Sequence, residues 1–254
     1  MKLVKRIIII IVAVILVAFL WGLYTNSLGN VLKSLSLGEG NDKLVFGMNY
    51  AGFIPIGKAV IENKGIQKYK GKDVYYIKAE AKLAEILNRF YNVKVQAESF
   101  IDKNKKYPLE FNYASQFYGE VKEAKRSFYN QVNHTMTRNG ETRMILPNTQ
   151  DPLSTIYHLM RQDFEVGKTF DLNINTSQKN YRFYAEVLKK KEFEIKNKTY
   201  HLYLVKGSVR RRDNSYRHSS AFSIWFMDKP QKVPVLMKTF TNAGLIEGKL
   251  LSAN

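Results

Sequence analysis

A single internal helix signal stands in a chain that otherwise reads as strand, and this imbalance constrains the fold more than any other feature. Asp151-Pro152-Leu153-Ser154-Thr155-Ile156-Tyr157-His158-Leu159-Met160-Arg161 lies near the midpoint of 254 residues. Asp151 is an N-cap, its carboxylate placed to accept from the first-turn N–H groups, and Pro152 fits the first helical position, where no N–H is needed. Leu153, Ile156, Tyr157 and Met160 recur at helical spacing, so one face of the helix is apolar and has to be buried against a sheet.

Around that helix the apolar period is two. Leu44, Phe46, Met48 and Tyr50 alternate, Ile56 to Asn63 follows as a hairpin partner, and Lys72 to Lys82 alternates again. Leu83, Ile86, Leu87 and Phe90 are spaced as a helical turn, before the half-buried strand Tyr91 to Ser99. Pro108 to Tyr118 and Lys125 to Thr137 read as an antiparallel pair, closed by a turn at Asn139-Gly140. Beyond the helix, strands are expected near Thr169–Thr176, Tyr181–Lys190, Thr199–Val209, Ser219–Met227, Val235–Thr241 and Leu245–Leu251, with Asn242-Ala243-Gly244 turning the last pair. About a dozen strands are too many for a flat open sheet. The fold class is therefore mainly β: a curved antiparallel sheet forming a barrel or half-barrel, or failing that a sandwich, with the helix Pro152 to about Arg161 across its concave side or mouth.

The N-terminus gives an address. Lys2, Lys5 and Arg6 precede an apolar run of 18 residues, Ile7 to Tyr24, and no acidic residue appears before Glu39. That is the charge order of an export signal whose basic end stays in the cytoplasm. As a helix the run is roughly 27 Å long, enough to span hydrocarbon. No small-x-small cleavage site follows it cleanly, so a retained anchor is favoured over a cleaved signal peptide, with Trp21 and Tyr24 at the outer interface. The organisation is thus a signal or anchor at 1–24, a tether at 25–42 with a sparse apolar set at Leu28, Val31, Leu32 and Leu35, and one β-rich domain at 43–254. The expected location is the periplasmic side of a bacterial inner membrane, which is then the chain's first partner.

With that address the formal charge of +18, or +15 without Lys2, Lys5 and Arg6, points to anionic lipid or glycan rather than nucleic acid. The absence of cysteine removes disulfides, thiolate metal sites and Cys nucleophiles.

Four pieces of the chain resemble a family of exported bacterial proteins, domain of unknown function 3108. They are Leu44-Val45-Phe46-Gly47-Met48-Asn49-Tyr50 with Gly57-Lys58-Ala59; Phe90-Tyr91-Asn92-Val93 and Glu98-Ser99-Phe100-Ile101-Asp102 with Pro108; Gln150-Asp151-Pro152-Leu153-Ser154 with Tyr157 and Arg161; and Ile224-Trp225-Phe226 with Asp228, Pro234 and Gly244. The resemblance spans about Asp42 to Leu250 and implies export and a β-rich fold, with no assigned activity. It departs at Lys94, where an acidic residue is expected, and does not account for Arg210-Arg211-Arg212.

Catalytic groups do not converge in the sequence. His134, His158, His201 and His218 are dispersed, without metal-pair spacing, so no metal or cofactor is expected. His158, Ser154 and Asp151 share a helix, but the last two are placed to satisfy its first turn. Glu98, Asp102 and Glu110 read as strand-face and turn carboxylates rather than an acid/base pair, and no phosphate-binding glycine loop is present. The expected function is a non-enzymatic cell-envelope protein that binds or carries an amphiphile, a lipid or lipid-linked glycan. An envelope hydrolase and a structural scaffold without small-molecule ligand are the alternatives. The expected cavity wall is Phe183, Leu202, Leu204, Phe222, Ile224 and Phe226. Lys189, Lys190 and Lys191 with Arg210, Arg211 and Arg212, and Arg217 and His218 beyond, are expected either to gather at one rim around an anionic head group or to stand apart as solvated loops.

Overall fold

A computed structural model describes residues 28, 31–32, 35–37, 42–195, 198–213, 219–228, 232–241 and 244–254. The expected anchor at 1–24, and Arg217 and His218, lie outside these residues. Among the described residues no helix is long and apolar enough to cross a membrane.

The strands are β1 (Ser36–Leu37), β2 (Lys43–Tyr50), β3 (Ile54–Tyr69), β4 (Lys72–Leu83), β5 (Val93–Asp102), β6 (Pro108–Phe117), β7 (Glu120–Asn130), β8 (Thr135–Arg138), β9 (Glu141–Met144), β10 (Thr169–Thr176), β11 (Lys179–Ile195), β12 (Lys198–Arg211), β13 (Ser219–Asp228), β14 (Val233–Thr241) and β15 (Gly244–Ala253). Two short helices interrupt them, α1 (Glu85–Tyr91) and α2 (Pro152–Met160). All fifteen strands join one sheet in the order β10-β11-β12-β13-β14-β15-β2-β3-β4-β5-β6-β7-β8-β9, with β1 pairing β15 off that path. Every neighbour pair on the path is antiparallel, as hairpin connections dictate.

The two edge strands, β9 and β10, form no ladder with each other. The segment between β9 and α2 fills the seam instead. Gln150 N–H donates to Asn173 O at 2.7 Å, Asn175 N–H donates to Gln150 O at 2.8 Å, and the Asn173 side-chain amide reaches Pro147 O at 2.8 Å. The sheet is thus strongly curved, barrel-like and unclosed, and its exposed edges are bridged by side chains and one isolated parallel contact, Gln150 to Ile174.

α2 lies inside the curl and touches β4, β5 and β10. Leu153 and Tyr157 belong to a cluster with Ile77, Ile101, Phe111, Tyr129, Met136 and Ile145. Leu159 and Met160 belong to a larger one with Phe46, Phe164, Phe183, Val205 and Phe226. In the larger cluster the strands approach so closely at Gly207 that a Cβ there would collide with the backbone of Tyr184 and Ala185 and with the Phe222 ring.

Two expectations need correction. The stretch expected as one strand from Lys125 to Thr137 is β7 and β8, because Asn130 Oδ1 accepts from Val132 N–H at 3.1 Å and Asn133 N–H at 3.0 Å and turns the chain between them. The expected tether also does structural work: Val31, Leu32 and Leu35 are buried, the last two in the larger cluster. Leu28 packs against the same cluster.

Candidate functional site

The N-terminus of α2 is locked from three sides. Asp151 Oδ1 accepts from the Leu153 and Ser154 N–H groups at 2.8 Å each, Ser154 Oγ accepts from Asp151 N–H at 2.8 Å, and Ser99 Oγ of β5 donates to Asp151 Oδ2 at 2.5 Å. Asp151 is fully buried, and burial pushes its carboxyl up to about 6 against the opposing pull of Ser99 and the two N–H donors. Asp151 and Ser154 are therefore engaged as a capping box. His158, one turn on, meets the Gln162 side chain at 3.1 Å, and burial holds its imidazole below the usual range.

The cross-strand register places Ile77, Ser99, Phe111, Ser127 and Arg138 in one row on the face turned toward α2. A charged residue on the inward face of a strand is unusual. Arg138 is 5% exposed, and its Nε donates to Ser127 Oγ at 2.8 Å. Among the described residues its side chain has no ion pair and no second hydrogen bond. The rest of its guanidinium borders a cavity of about 390 Å³ lined also by Ala97, Phe111, Tyr113, Glu123, Lys125, Pro152, Leu153, Thr176 and Ser177. Glu123 and Lys125 form an ion pair at its wall. A planar fork with unused donors in a half-polar cavity is suited to a carboxylate, phosphate or sulfate. Arg138 is not among the residues expected at a site. Its signal was there: in Thr135-Met136-Thr137-Arg138, directly before the Asn139-Gly140 turn, Arg138 shares its face with the buried Met136.

The expected cavity wall divides in two. Phe183, Phe222, Ile224 and Phe226 share the inward face with Val187, Val205 and Met237, whereas Leu202 and Leu204 pair with Met227 and Trp225 on the opposite face. Steps of two fix the faces within a strand, but turns and bulges set the phase between strands, and the shift between Val187 and Lys189 lies in this hairpin. The inward aromatics are packed core: Phe183 stacks on Phe222 at 4.9 Å, and Phe164 sits edge-on to Phe226 at 5.1 Å. Beside α2, between Leu44, Ile61, Ile77, Ile156 and Met160, the remaining void is about 20 Å³, the room of one water.

The expected rim also separates. Lys189, Lys190 and Lys191 stand mid-hairpin opposite Leu204, Tyr203 and Leu202, while Arg210 and Arg211 stand opposite Arg182 and Tyr181. Six residue steps of strand, roughly 20 Å, separate Leu204 from Arg210. The Lys run sits in the middle of β11 and the Arg run at the end of β12, so the two do not share a rim. Lys189 lies over the Trp225 ring at 5.5 Å and Lys190 over Tyr203 at 5.9 Å; Arg211 pairs with Asp213, and Arg212 bonds Asn173.

The carboxylates weighed earlier are structural. Asp102 Oδ1 accepts from Asn104 and Lys105 N–H at 2.9 and 2.8 Å, and Glu98 accepts from the Tyr76 hydroxyl at 2.7 Å. Glu110, buried on the outward face, takes Arg126 at 2.6 and 3.1 Å and the Tyr69 hydroxyl. Burial pushes its carboxyl up, but Arg126, Tyr69 and Asn112 together hold it below the ordinary value. Lys94 pairs with Glu80 at 3.1 Å.

Residues 45–250 match the family described as "Protein of unknown function (DUF3108)". Among solved structures, a "Beta-barrel-like Protein of Domain of Unknown Function DUF1849" from Brucella abortus superposes with a TM-score of 0.55 at 12% identity, covering 83% of this chain and 95% of its own. A protein with YmcC-like fold from Bacteroides fragilis NCTC 9343 gives a TM-score of 0.35 at 8% identity, covering 86% and 98%. No protein with a curated description matches the chain.

Proposed function

The chain belongs to the DUF3108 family, which brings a fold without an activity, and we propose that it is a non-enzymatic cell-envelope protein that holds an amphiphile by its anionic group. The observation that carries this reading is Arg138: buried, without a carboxylate partner among the described residues, and bordering a cavity of about 390 Å³. Desolvating a guanidinium that has no carboxylate partner opposes folding. A ligand anion is the partner that recovers this cost. The envelope location rests on the charge order of Lys2, Lys5 and Arg6 before the apolar run.

Native mass spectrometry of protein from its own cells reads any retained cargo. Calorimetry with dodecyl phosphate and dodecanol then tests the anion. The phosphate should bind at least about tenfold tighter, the value of one charge-assisted hydrogen-bond set, and Arg138→Gln should erase that difference. Equal binding of both probes to the unaltered protein refutes the reading.

A further inference from the structure

Antiparallel connectivity puts the β2–β3 turn, α1, the β6–β7 turn and the β14–β15 turn at the same end of the barrel. That end carries a nearly continuous arc of exposed apolar side chains. Tyr50, Ile54, Ile86, Phe90, Tyr91, Phe117, Tyr118, Val121 and Phe240 are all large, apolar and exposed, Ile86 by 74% and Phe90 by 64%. The arc is tied together across strands. Ala51 N–H donates to Leu245 O, Ala84 N–H to Ile56 O, Tyr118 N–H to Asn92 O at 3.2 Å, and the Tyr118 hydroxyl to Phe90 O. No residue of α1 is buried, so its Ile86 and Phe90 do not serve the core. Among the described residues the exposed large apolar side chains toward the other end are Ile66, Val132, Met144, Val166 and Leu251, none aromatic.

Charge follows the same arc. The stretches 50–58, 80–94, 115–122 and 238–247 hold six cations, Lys58, Lys82, Arg89, Lys94, Lys122 and Lys238, against four carboxylates, Glu80, Glu85, Glu120 and Glu247, with Glu80 pairing Lys82 and Lys94, Glu120 pairing Lys122 and Glu247 pairing Lys238. Exposed Tyr and Phe borne on turns, flanked by cations, are the composition of a surface that enters a bilayer interface, where rings sit at head-group depth and cations meet anionic phosphates. A contiguous apolar patch of this kind is not an ordinary monomer surface.

We infer that this rim docks the barrel on an anionic lipid bilayer, with α1 and the β6–β7 turn leading. The inference goes beyond the ligand reading and does not need it: the rim can dock whether or not Arg138 holds an anion. The cavity beside Arg138 reaches Thr176 and Ser177 at the β10–β11 turn, and this turn lies at the same end of the barrel.

Because the chain contains no cysteine, single labels test this cleanly. Val121→Cys and Val132→Cys stand at the two ends of β7, exposed by 59% and 85%, and each takes an environment-sensitive fluorophore. The full chain is reconstituted in vesicles of phosphatidylethanolamine and phosphatidylglycerol containing spin-labelled lipid. The label at 121 should shift to the blue and be quenched, and the label at 132 should not. Ile86→Ser with Phe90→Ser should reduce quenching at 121 about tenfold in apparent affinity, the scale of losing inserted apolar side chains. Replacing phosphatidylglycerol by phosphatidylcholine should weaken it further. Equal quenching at both positions, or none at 121, overturns the inference. A blue shift at 121 that grows with protein concentration without quenching also overturns it, by assigning the rim to a second copy of the chain.

Discussion

The two halves of the barrel interior solve the problem of a curved sheet differently. Where β10–β15 and β2 form the wall, Phe46, Val205, Phe226 and Leu250 are nearly or wholly buried and fill the space against Leu159, Met160 and Phe164. Where β4–β8 form it, Ser99, Ser127 and Arg138 alternate with Ile77 and Phe111, and a cavity of about 390 Å³ remains. α2 is shared, its C-terminal end in the first half and its N-terminal end in the second. The first half is filled by apolar side chains; the second combines a smaller apolar cluster with polar side chains beside open space.

The contrast is broken most directly in the packed half. Phe226→Ala should lower unfolding free energy by about 3–5 kcal/mol in denaturant titration, because its ring is fully buried against Phe164. The helix then compares the halves within one element. Leu159→Ala should cost about 2–5 kcal/mol, and Leu153→Ala, which borders the cavity, should fall at the low end of that range. Equal losses would mean that the two halves are packed alike. Losses below about 1 kcal/mol at both would make α2 peripheral.

These residues also show what the sequence made legible. Asp151-Pro152 and the apolar spacing through Met160 located α2 and its cap, because helix termini are local chemistry. Strand existence was readable from alternation for the same reason, and β10 was expected over the residues it occupies, Thr169–Thr176. What failed was relational. Leu202 is expected on the face of Phe226, whereas the register pairs it with Met227, all three staying buried in one cluster. Of the two arrangements open to the basic runs, the β11–β12 register selects the separate one. Arg138 was missed because its meaning lies in what is absent around it, which only three dimensions display.

Asp151 sharpens the contrast through pH. Its carboxyl rises from an ordinary 3.8 to about 6 in the folded chain through burial. Below pH 6 the native state binds a proton that the unfolded chain takes up only near pH 4. Stability should therefore increase as pH falls from about 6 to 4, relative to Asp151→Asn, by on the order of 3 kcal/mol. Glu110, whose carboxyl is held low, runs the other way: its contribution is present above the ordinary carboxylate range and lost as pH falls through the lower folded value. Parallel pH profiles for Asp151→Asn and the unaltered chain between pH 4 and 7 would refute the assignment.

The smallest effect is expected at Arg138, and its smallness is informative. Arg138→Met keeps much of the length and apolar stem, removes a buried charge without a carboxylate partner, and leaves Ser127 Oγ without its donor. The first change favours folding and the second costs about 1 kcal/mol, so the net should lie within about 1 kcal/mol of zero. Ligand linkage separates this from an inert position. With ionic strength held constant by sodium chloride, added phosphate should raise the melting temperature of the unaltered chain, because an anion that binds only the folded state stabilises it by mass action. Arg138→Met should show no such rise, and Arg138→Lys a reduced one, since a point charge replaces the fork. A loss of several kcal/mol in Arg138→Met, with no phosphate effect in either protein, would make the guanidinium a structural strut and the polar half a core like the other.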